Sequence, residues 1–172
     1  VTNGLRLNPI ELSELCRASW VRFSIDAGNK ASYSAIRRIS EAAWDKVWNN
    51  IYALVKLRNA DKISDLVIGV GFVVTKENYR GIVDCVNACF DNGVDNVRIS
   101  AMFQSGDDDY FRAIYGPIKD LIATAKTKET ASFKVIDNFG DRYSDLQQHN
   151  PDYSLCGYQY FNVYIGGDLN VY

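Results

Sequence analysis

Apolar and polar residues alternate along this chain with two periods, one typical of strands and one typical of helices. Residues 19–26 and 95–100 alternate cleanly, 65–74 is nearly all apolar, and 132–137 repeats the alternation, so all four are predicted strands. The segments between them space apolar residues three or four apart, as in helices. The predicted starts of these helices are Asn8, Asn29, Ser40, Thr75 and the acidic run 107–109. This alternation of strand and helix predicts an α/β fold with parallel strands.

Two of the predicted strands have one polar face. Arg22, Ser24 and Asp26 share a face of the first strand, and Arg98 and Ser100 share a face of the third. Parallel strands covered by helices on both sides are usually apolar on both faces. The pattern therefore favours a barrel or strongly curved sheet with a polar interior and a ligand near the C-terminal strand ends. The alternative is a network of Arg22, Asp26 and Arg98 ion pairs that binds nothing.

Two glycines, Gly69 and Gly71, share one face of the strand between these two. A strand glycine allows a ligand or another backbone to approach closely. The run 69–74 superficially resembles a dinucleotide-binding fingerprint. The third glycine position is Val74, however, and the run lies inside the strand rather than in the turn after it. A Rossmann-type site is therefore not expected.

Composition excludes several classes of protein. The chain has 172 residues with 47% apolar and 23% charged residues, as in a soluble domain with a core. Its net charge of −2 argues against a sequence-independent nucleic-acid binder, and it has no apolar run of the ~20 residues that span a membrane. Four cysteines without a signal peptide indicate the cytoplasm. The start at Val1 and the strand-like end at Tyr172 predict an internal piece of a longer protein.

The candidates for metal or nucleophile chemistry are few. Cys85 and Cys89 share a helix face and are interpreted as buried core residues. His149, the single histidine, has no evident catalytic partner nearby, and the run 107–109 reads as helix-start charge. Cys156 lies in a predicted loop before a strand-like run, a suitable position for a metal ligand, but one cysteine holds no cluster by itself.

Residues 1–103 resemble the radical S-adenosylmethionine (SAM) superfamily from its third barrel strand onward. The segments that carry the resemblance are, in order, TNG at 2–4, WVRFSIDAGNKASYSAIRR at 20–38, DLVIGVGFVVTKENY at 65–79 and VRISAMF at 97–103. The resemblance implies that residues 1–137 form part of a (β/α)6 TIM-like barrel. It also implies that the CxxxCxxC motif of the catalytic [4Fe–4S] cluster, which this chain lacks, precedes Val1.

The resemblance also implies a set of SAM-binding positions. Ser24 and Asp26 match residues that contact the ribose and amino-acid moiety of SAM, and Arg37 matches an arginine that reaches its carboxylate. The two glycines of the next strand would lie along the adenosine, and the end of the last strand would edge the adenine. The full implied set is Ser24, Asp26, Arg37, Gly69, Gly71, Ser100 and Met102.

Residues 138–172 resemble a linker and the start of the auxiliary-cluster extension of the SPASM or twitch type. Cys156 matches the first cysteine of that extension, and GDLNVY at 167–172 matches a "Gly-Asp-Gly-x-Val-Tyr" hairpin, with Leu169 in place of the second glycine. The resemblance therefore implies that Cys156 ligates an auxiliary iron–sulfur cluster.

The function implied is reductive cleavage of SAM at a [4Fe–4S] cluster, giving a 5′-deoxyadenosyl radical that abstracts hydrogen from a peptide or small-molecule substrate. The electron would come from a donor such as a flavodoxin or ferredoxin, and neither nucleic acid nor membrane would be a partner. This piece alone would be inactive, because it cannot hold the cluster. Two alternatives stay open: a barrel enzyme without iron, and a non-catalytic module in which Arg22 and Arg98 hold an anionic ligand.

Overall fold

Four parallel strands form the centre of the part of the chain that the structure describes. A computed structural model describes residues 1–61, 65–103, 109–147 and 154–155. Its strands are β1 (Trp20–Ser24), β2 (Val67–Val74), β3 (Asn96–Ala101) and β4 (Lys134–Asn138). Its α-helices are α1 (Pro9–Leu15), α2 (Lys30–Arg37), α3 (Ala42–Asp61), α4 (Ile82–Asp91), α5 (Tyr115–Lys126) and α6 (Phe139–Gln147). Short 3-10 helices, Tyr79–Gly81 and Arg112–Ile114, precede α4 and α5.

The order of the strands in the sheet follows the order in the chain, β1-β2-β3-β4. Crossovers between parallel strands are nearly always right-handed, so a sheet that never reverses its order places its connecting helices on one face. The segment before α1 continues the same series. The backbone of Thr2 donates to Arg22 O at 2.9 Å and accepts from Ser24 N at 3.0 Å, which places it parallel to β1 on the side away from β2.

The core lies between the sheet and the helices. The strand residues that face it are 5% exposed or less: Val21, Phe23, Ile68, Val70, Phe72, Val74, Val97, Ile99, Ala101 and Val135. The helices supply their apolar stripes to the same core, including Val47 and Leu54 of α3, Val86 of α4 and Ile118 and Ile122 of α5. Burial of these stripes is what fixes the helices on this face of the sheet.

The opposite face of the sheet is open. Residues of β2, β3 and β4 that point this way, such as Val73, Arg98 and Ile136, are exposed, and Arg22 and Ser24 of β1 are half-buried. The prediction of one apolar and one polar face in β1 and β3 is therefore confirmed. The mixed α/β fold with a parallel sheet is also confirmed. Within the residues that the structure describes, the four strands do not close into a barrel.

The helix starts were predicted with mixed success. Asn8 and Asn29 cap α1 and α2 through reciprocal capping boxes, and the backbone and side chain of Ser40 accept bonds just ahead of α3, so these predictions are confirmed. The prediction that Thr75 caps the next helix is wrong. α4 begins only at Ile82, since the side chain of Thr75 bonds to the backbone of Glu77 and a 3-10 turn intervenes.

Two further differences concern the last third of the chain. The helix predicted from the acidic run 107–109 begins instead at Tyr115, after the 3-10 turn Arg112–Ile114. Residues Phe139–Gln147, expected as the start of a linker, form helix α6, whose first residue is fully buried in the core. The predicted hairpin, His149 and Cys156 lie outside the described residues. None of the described helices has the length and apolar character needed to cross a membrane.

Candidate functional site

Three of the predicted SAM-binding residues meet at the C-terminal end of β1. Nη2 of Arg37 donates to Oδ2 of Asp26 at 2.5 Å, to Oγ of Ser24 at 3.0 Å and to the carbonyl of Ser24 at 3.0 Å. Ser24 Oγ in turn donates to Asp26 Oδ2 at 3.1 Å. The side chains stay partly accessible, 14% for Asp26 and 31% for Arg37. We call these three residues the Ser-Asp-Arg cluster.

The backbone around Asp26 is held in an uncommon conformation. Asp26 has a φ of +58°, a left-handed geometry that side-chain-bearing residues adopt at a cost. Its Oδ1 accepts a hydrogen bond of 2.8 Å from the amide of Val73 at the end of β2. The carboxylate is thus tied to the neighbouring strand by Oδ1, while Oδ2 accepts from Arg37 and Ser24.

The buried side chain of Asn78 holds this turn in place. Its Nδ2 donates to the carbonyls of Asp26 at 2.9 Å and Val73 at 2.8 Å, and its Oδ1 accepts from the amide of Thr75 at 2.7 Å. It is 3% exposed, and it is the one buried polar side chain recorded among the described residues. The Asn78 amide thus adds a second side-chain link between the ends of β1 and β2, beside that of Asp26, and the sequence pattern did not predict it.

The charges of the Ser-Asp-Arg cluster extend to Tyr33 of α2. Burial raises the pKa of the Tyr33 hydroxyl, the nearby Arg37 guanidinium opposes that rise, and the Asp26 carboxylate adds to it. Nε of Arg37 is buried without a hydrogen-bond partner. The cluster is neutral as a whole, and its guanidinium has unused donor capacity.

The two predicted glycines do not leave open space above the sheet. A Cβ on Gly69 would lie 2.6 Å from Oδ1 of Asn96, so the side chain of Asn96 occupies that position. A Cβ on Gly71 would lie 3.5 Å from Cδ of Arg22. The close approach that glycine permits is used here by the protein's own side chains, although Gly71 still lines a cavity.

Two adjoining cavities lie on the open face and share Val73, Arg98 and Ser100 in their walls. The smaller, about 170 Å³, is bordered by Arg22 and Ser24 on its other side. The larger, about 430 Å³, extends to the end of β4 and to α6. Its remaining lining residues are Ala101, Phe103, Asn138, Asp141, Arg142 and Asp145.

An aromatic cluster positions α6 over the larger cavity. Phe139 packs edge-on against Phe111 with ring centroids 5.3 Å apart, and Tyr143 packs on Tyr115 at 4.9 Å. The spacing of Phe139, Tyr143 and Leu146 is the helical signal that sequence reasoning overlooked in this segment. Because α6 was missed, its contribution to the cavity was missed as well.

The other residues predicted from the sequence do not lie together at one site. Ser100 lines both cavities, whereas Met102 packs against the edge of the core. Cys85 and Cys89 are fully buried core residues, as expected, and burial together with Cys85 raises the pKa of the Cys89 thiol. In the described part of the chain, no three His, Cys, Asp or Glu side chains come close enough to hold a metal. Whether Cys156 ligates a cluster stays a prediction.

No protein-family model matches the chain, and no curated protein shows significant similarity to it. Fold and site together define an α/β protein with helices on one side of a parallel sheet and a polar, ligand-sized surface on the other. Any closer assignment depends on the residues themselves.

Proposed function

We propose that this chain is part of a radical SAM enzyme, comprising its catalytic barrel from the third strand onward. The observation that carries the proposal is the Ser-Asp-Arg cluster. Ser24, Asp26 and Arg37 are the three positions that the resemblance assigns to the ribose and amino-acid moiety of SAM, and they lie within hydrogen-bonding distance of one another at a C-terminal strand end. Ligands of parallel α/β sheets bind at that end.

The sheet supports the TIM-like barrel as the finer description of the fold. Strands added always on the same side, with helices on one face, are the repeating unit of a (β/α) barrel. Thr2 lies where a preceding strand would end. In a closed barrel the open face would become the lumen, and its polar residues would face a ligand rather than bulk water.

The charges of the cluster suit the amino-acid end of SAM. An α-ammonium carries the charge that pairs with Asp26, and an α-carboxylate carries the charge that pairs with Arg37 through charge-assisted hydrogen bonds. In this structure the two side chains neutralise each other, so a zwitterion inserted between them exchanges one ion pair for two. Ser24 Oγ can turn from Asp26 to a ligand hydroxyl.

In this proposal none of the described residues is a ligand of the catalytic [4Fe–4S] cluster. In enzymes of this class a [4Fe–4S] cluster supplies the electron that cleaves SAM, and its three cysteine ligands would lie in sequence preceding Val1. What these residues contribute is to bind and orient SAM and to shield the cavity beside it. A peptide or small-molecule substrate, a flavodoxin or ferredoxin as electron donor, an auxiliary cluster at Cys156 and a cytoplasmic location belong to the same proposal.

The sequence encoded upstream of Val1 provides the first test. We expect a CxxxCxxC triplet after a predicted strand within about 100 residues, followed by a second strand ending in a Gly-Gly-Glu type motif. A reading frame with no such triplet would remove the iron–sulfur assignment. It would leave a non-iron barrel enzyme or a binding module.

SAM binding provides the second test, measured by calorimetry on the protein extended to include the triplet. Removing one charged hydrogen bond costs about 1.5–3 kcal/mol, so Asp26→Asn and Arg37→Gln should each weaken binding at least about tenfold. Asp45→Asn is a matched control, because Asp45 forms an ion pair with Lys30 at 2.7 Å on the exposed surface. If the Asp26→Asn variant binds SAM as tightly as the Asp45→Asn variant, the Ser-Asp-Arg cluster does not bind SAM.

A further inference from the structure

Two arginines share the smaller cavity on the open face. Arg22 of β1 is in register with Gly69, and Arg98 of β3 is in register with Gly71. The two therefore lie diagonally across β2, where glycine provides no side chain to separate them. Both line the cavity of about 170 Å³, together with the hydroxyl-bearing Ser24 and Ser100.

Neither arginine has an anionic partner among the described residues. The carboxylate of Asp26, four residues after Arg22, is already paired with the Arg37 guanidinium. The stem of Arg22 lies over Gly71, its guanidinium lies 5.5 Å from the ring centre of Trp20, and its Nε is buried without a hydrogen-bond partner. Burial and the charge of Arg98 both lower the pKa of Arg22.

Among the described residues, the hydrogen-bond acceptor of the Arg98 side chain is a neutral amide. With the side-chain amide of Asn138 turned so that its oxygen faces β3, that oxygen accepts from Nε of Arg98 at 3.2 Å and from Nη2 at 3.0 Å. The amide orients the guanidinium across the sheet without neutralising it. This leaves the remaining donors of Arg98 available on the open face.

We propose that Arg22 and Arg98 bind an oxyanion of the substrate, a carboxylate or a phosphate, on the open face of the sheet. Two like charges held together with an unpaired buried donor cost free energy unless an anion compensates them. Guanidinium groups match the planar oxygens of a carboxylate and the oxygens of a phosphate by paired hydrogen bonds. Ser24 and Ser100 can donate to the same oxygens from the cavity wall.

The place of this anion relative to the Ser-Asp-Arg cluster assigns it to the substrate. Ser24 belongs to both, since it lines the cavity and donates to Asp26. A group bound between the arginines would thus lie beside the amino-acid end of SAM. Naming the anion as part of the substrate rests on the proposed function, whereas the binding of an oxyanion does not.

The test is a titration of the 172-residue chain with inorganic phosphate and, separately, with acetate at low ionic strength, because salt screens such contacts. The arginine Nε–Hε signals report binding in two-dimensional NMR spectra. We expect saturable shifts of the Arg22 and Arg98 signals with at least one anion. Arg98→Gln and Arg22→Gln should each weaken binding at least about tenfold.

Arg17→Gln serves as the matched control, because Arg17 is exposed and forms only a surface pair with Glu14. Saturation by phosphate alone or by acetate alone supports the proposal and identifies the anion. Absence of saturable shifts with both, or equal binding by Arg98→Gln and Arg17→Gln, overturns it. Arg98 is exposed, so its variant should fold even if that of Arg22 does not.

Asp26→Asn separates this inference from the proposed function. The variant should bind SAM at least about tenfold more weakly in the extended protein and keep phosphate or acetate binding in this chain. If the unsubstituted chain binds an anion but the unsubstituted extended protein does not bind SAM, the radical SAM assignment is refuted and the arginine site stands. If the extended protein binds SAM but the chain binds neither anion, the arginine site is refuted and the radical SAM assignment stands.

Discussion

Replacing Asn78 by alanine tests how the candidate site is held together. Asn78 contributes three side-chain hydrogen bonds, two donated to the carbonyls of Asp26 and Val73 and one accepted from the amide of Thr75. All three go to backbone groups at the ends of β1 and β2. Alanine would remove the side-chain partner of each at once, since it fills the space of Cβ alone.

The expected loss follows from the number of bonds and from burial. Each intramolecular hydrogen bond contributes about 1 kcal/mol, and a backbone group left buried without a partner costs about 1–3 kcal/mol. Asn78 is 3% exposed, so water replaces its amide poorly. We therefore expect Asn78→Ala to lower the free energy of unfolding by about 3 kcal/mol or more, which corresponds to a Tm lower by roughly 6–12 °C for a chain of this size.

Urea unfolding followed by circular dichroism measures this loss. Asn92→Ala is the matched control, because the Asn92 amide makes one such bond, to the carbonyl of Ala88 at 2.8 Å. It should cost about 1 kcal/mol. An Asn78→Ala variant within error of Asn92→Ala would show that the turn at Asp26 does not depend on this amide.

Three further predictions concern the fold. Phe139→Ala should lower the free energy of unfolding by about 3–5 kcal/mol in urea titrations, because the ring of this first residue of α6 is fully buried in the core; a loss below 1 kcal/mol would mean that α6 is not docked. Gly28→Ala should lower the Tm strongly, since the new Cβ would lie 2.6 Å from a backbone carbonyl oxygen. Gly116→Ala is the control, because its Cβ would meet nothing within 4 Å, and its Tm should be unchanged or slightly raised. Equal Tm values for the two variants would contradict this prediction. Burial alone would raise the pKa of Asp137, but the hydrogen bond and charge of Lys119 hold it below its ordinary value of 3.8. The stability advantage over Asp137→Asn should therefore be complete above that pH and vanish as the pH falls through the lowered pKa; an advantage that persists in acid would refute the ion pair's role.

Helix starts that depend only on neighbouring residues could be predicted from the sequence. Asn8 and Asn29 are capping residues that directly precede a turn of helix, and the structure has both caps. Thr75 is also a residue type that caps helices, but it does not cap α4, which begins at Ile82. Asn78, three residues later, takes the amide of Thr75 for the junction between strands, a contact that only the neighbouring β1 makes useful.

The candidate site shows the same division. Alternation placed Arg22, Ser24 and Arg98 on one face of their strands, and the structure leaves that face open. The Ser-Asp-Arg cluster was expected from resemblance. Its internal ion pair was not, because Asp26 and Arg37 are 11 residues apart and meet only when α2 folds back on β1.

What the sequence determined by itself is the four strands, most of the helices, the parallel arrangement and the two-sided character of the sheet, since periods of two and of three to four residues are properties of a single segment. What only the tertiary structure decided is which side chains share a cavity. Arg22 and Arg98 are far apart in the chain, and the register of two strands with β2 brings them together. Registers, crossings and the docking of α6 depend on packing between segments distant in sequence, and no local pattern encodes them.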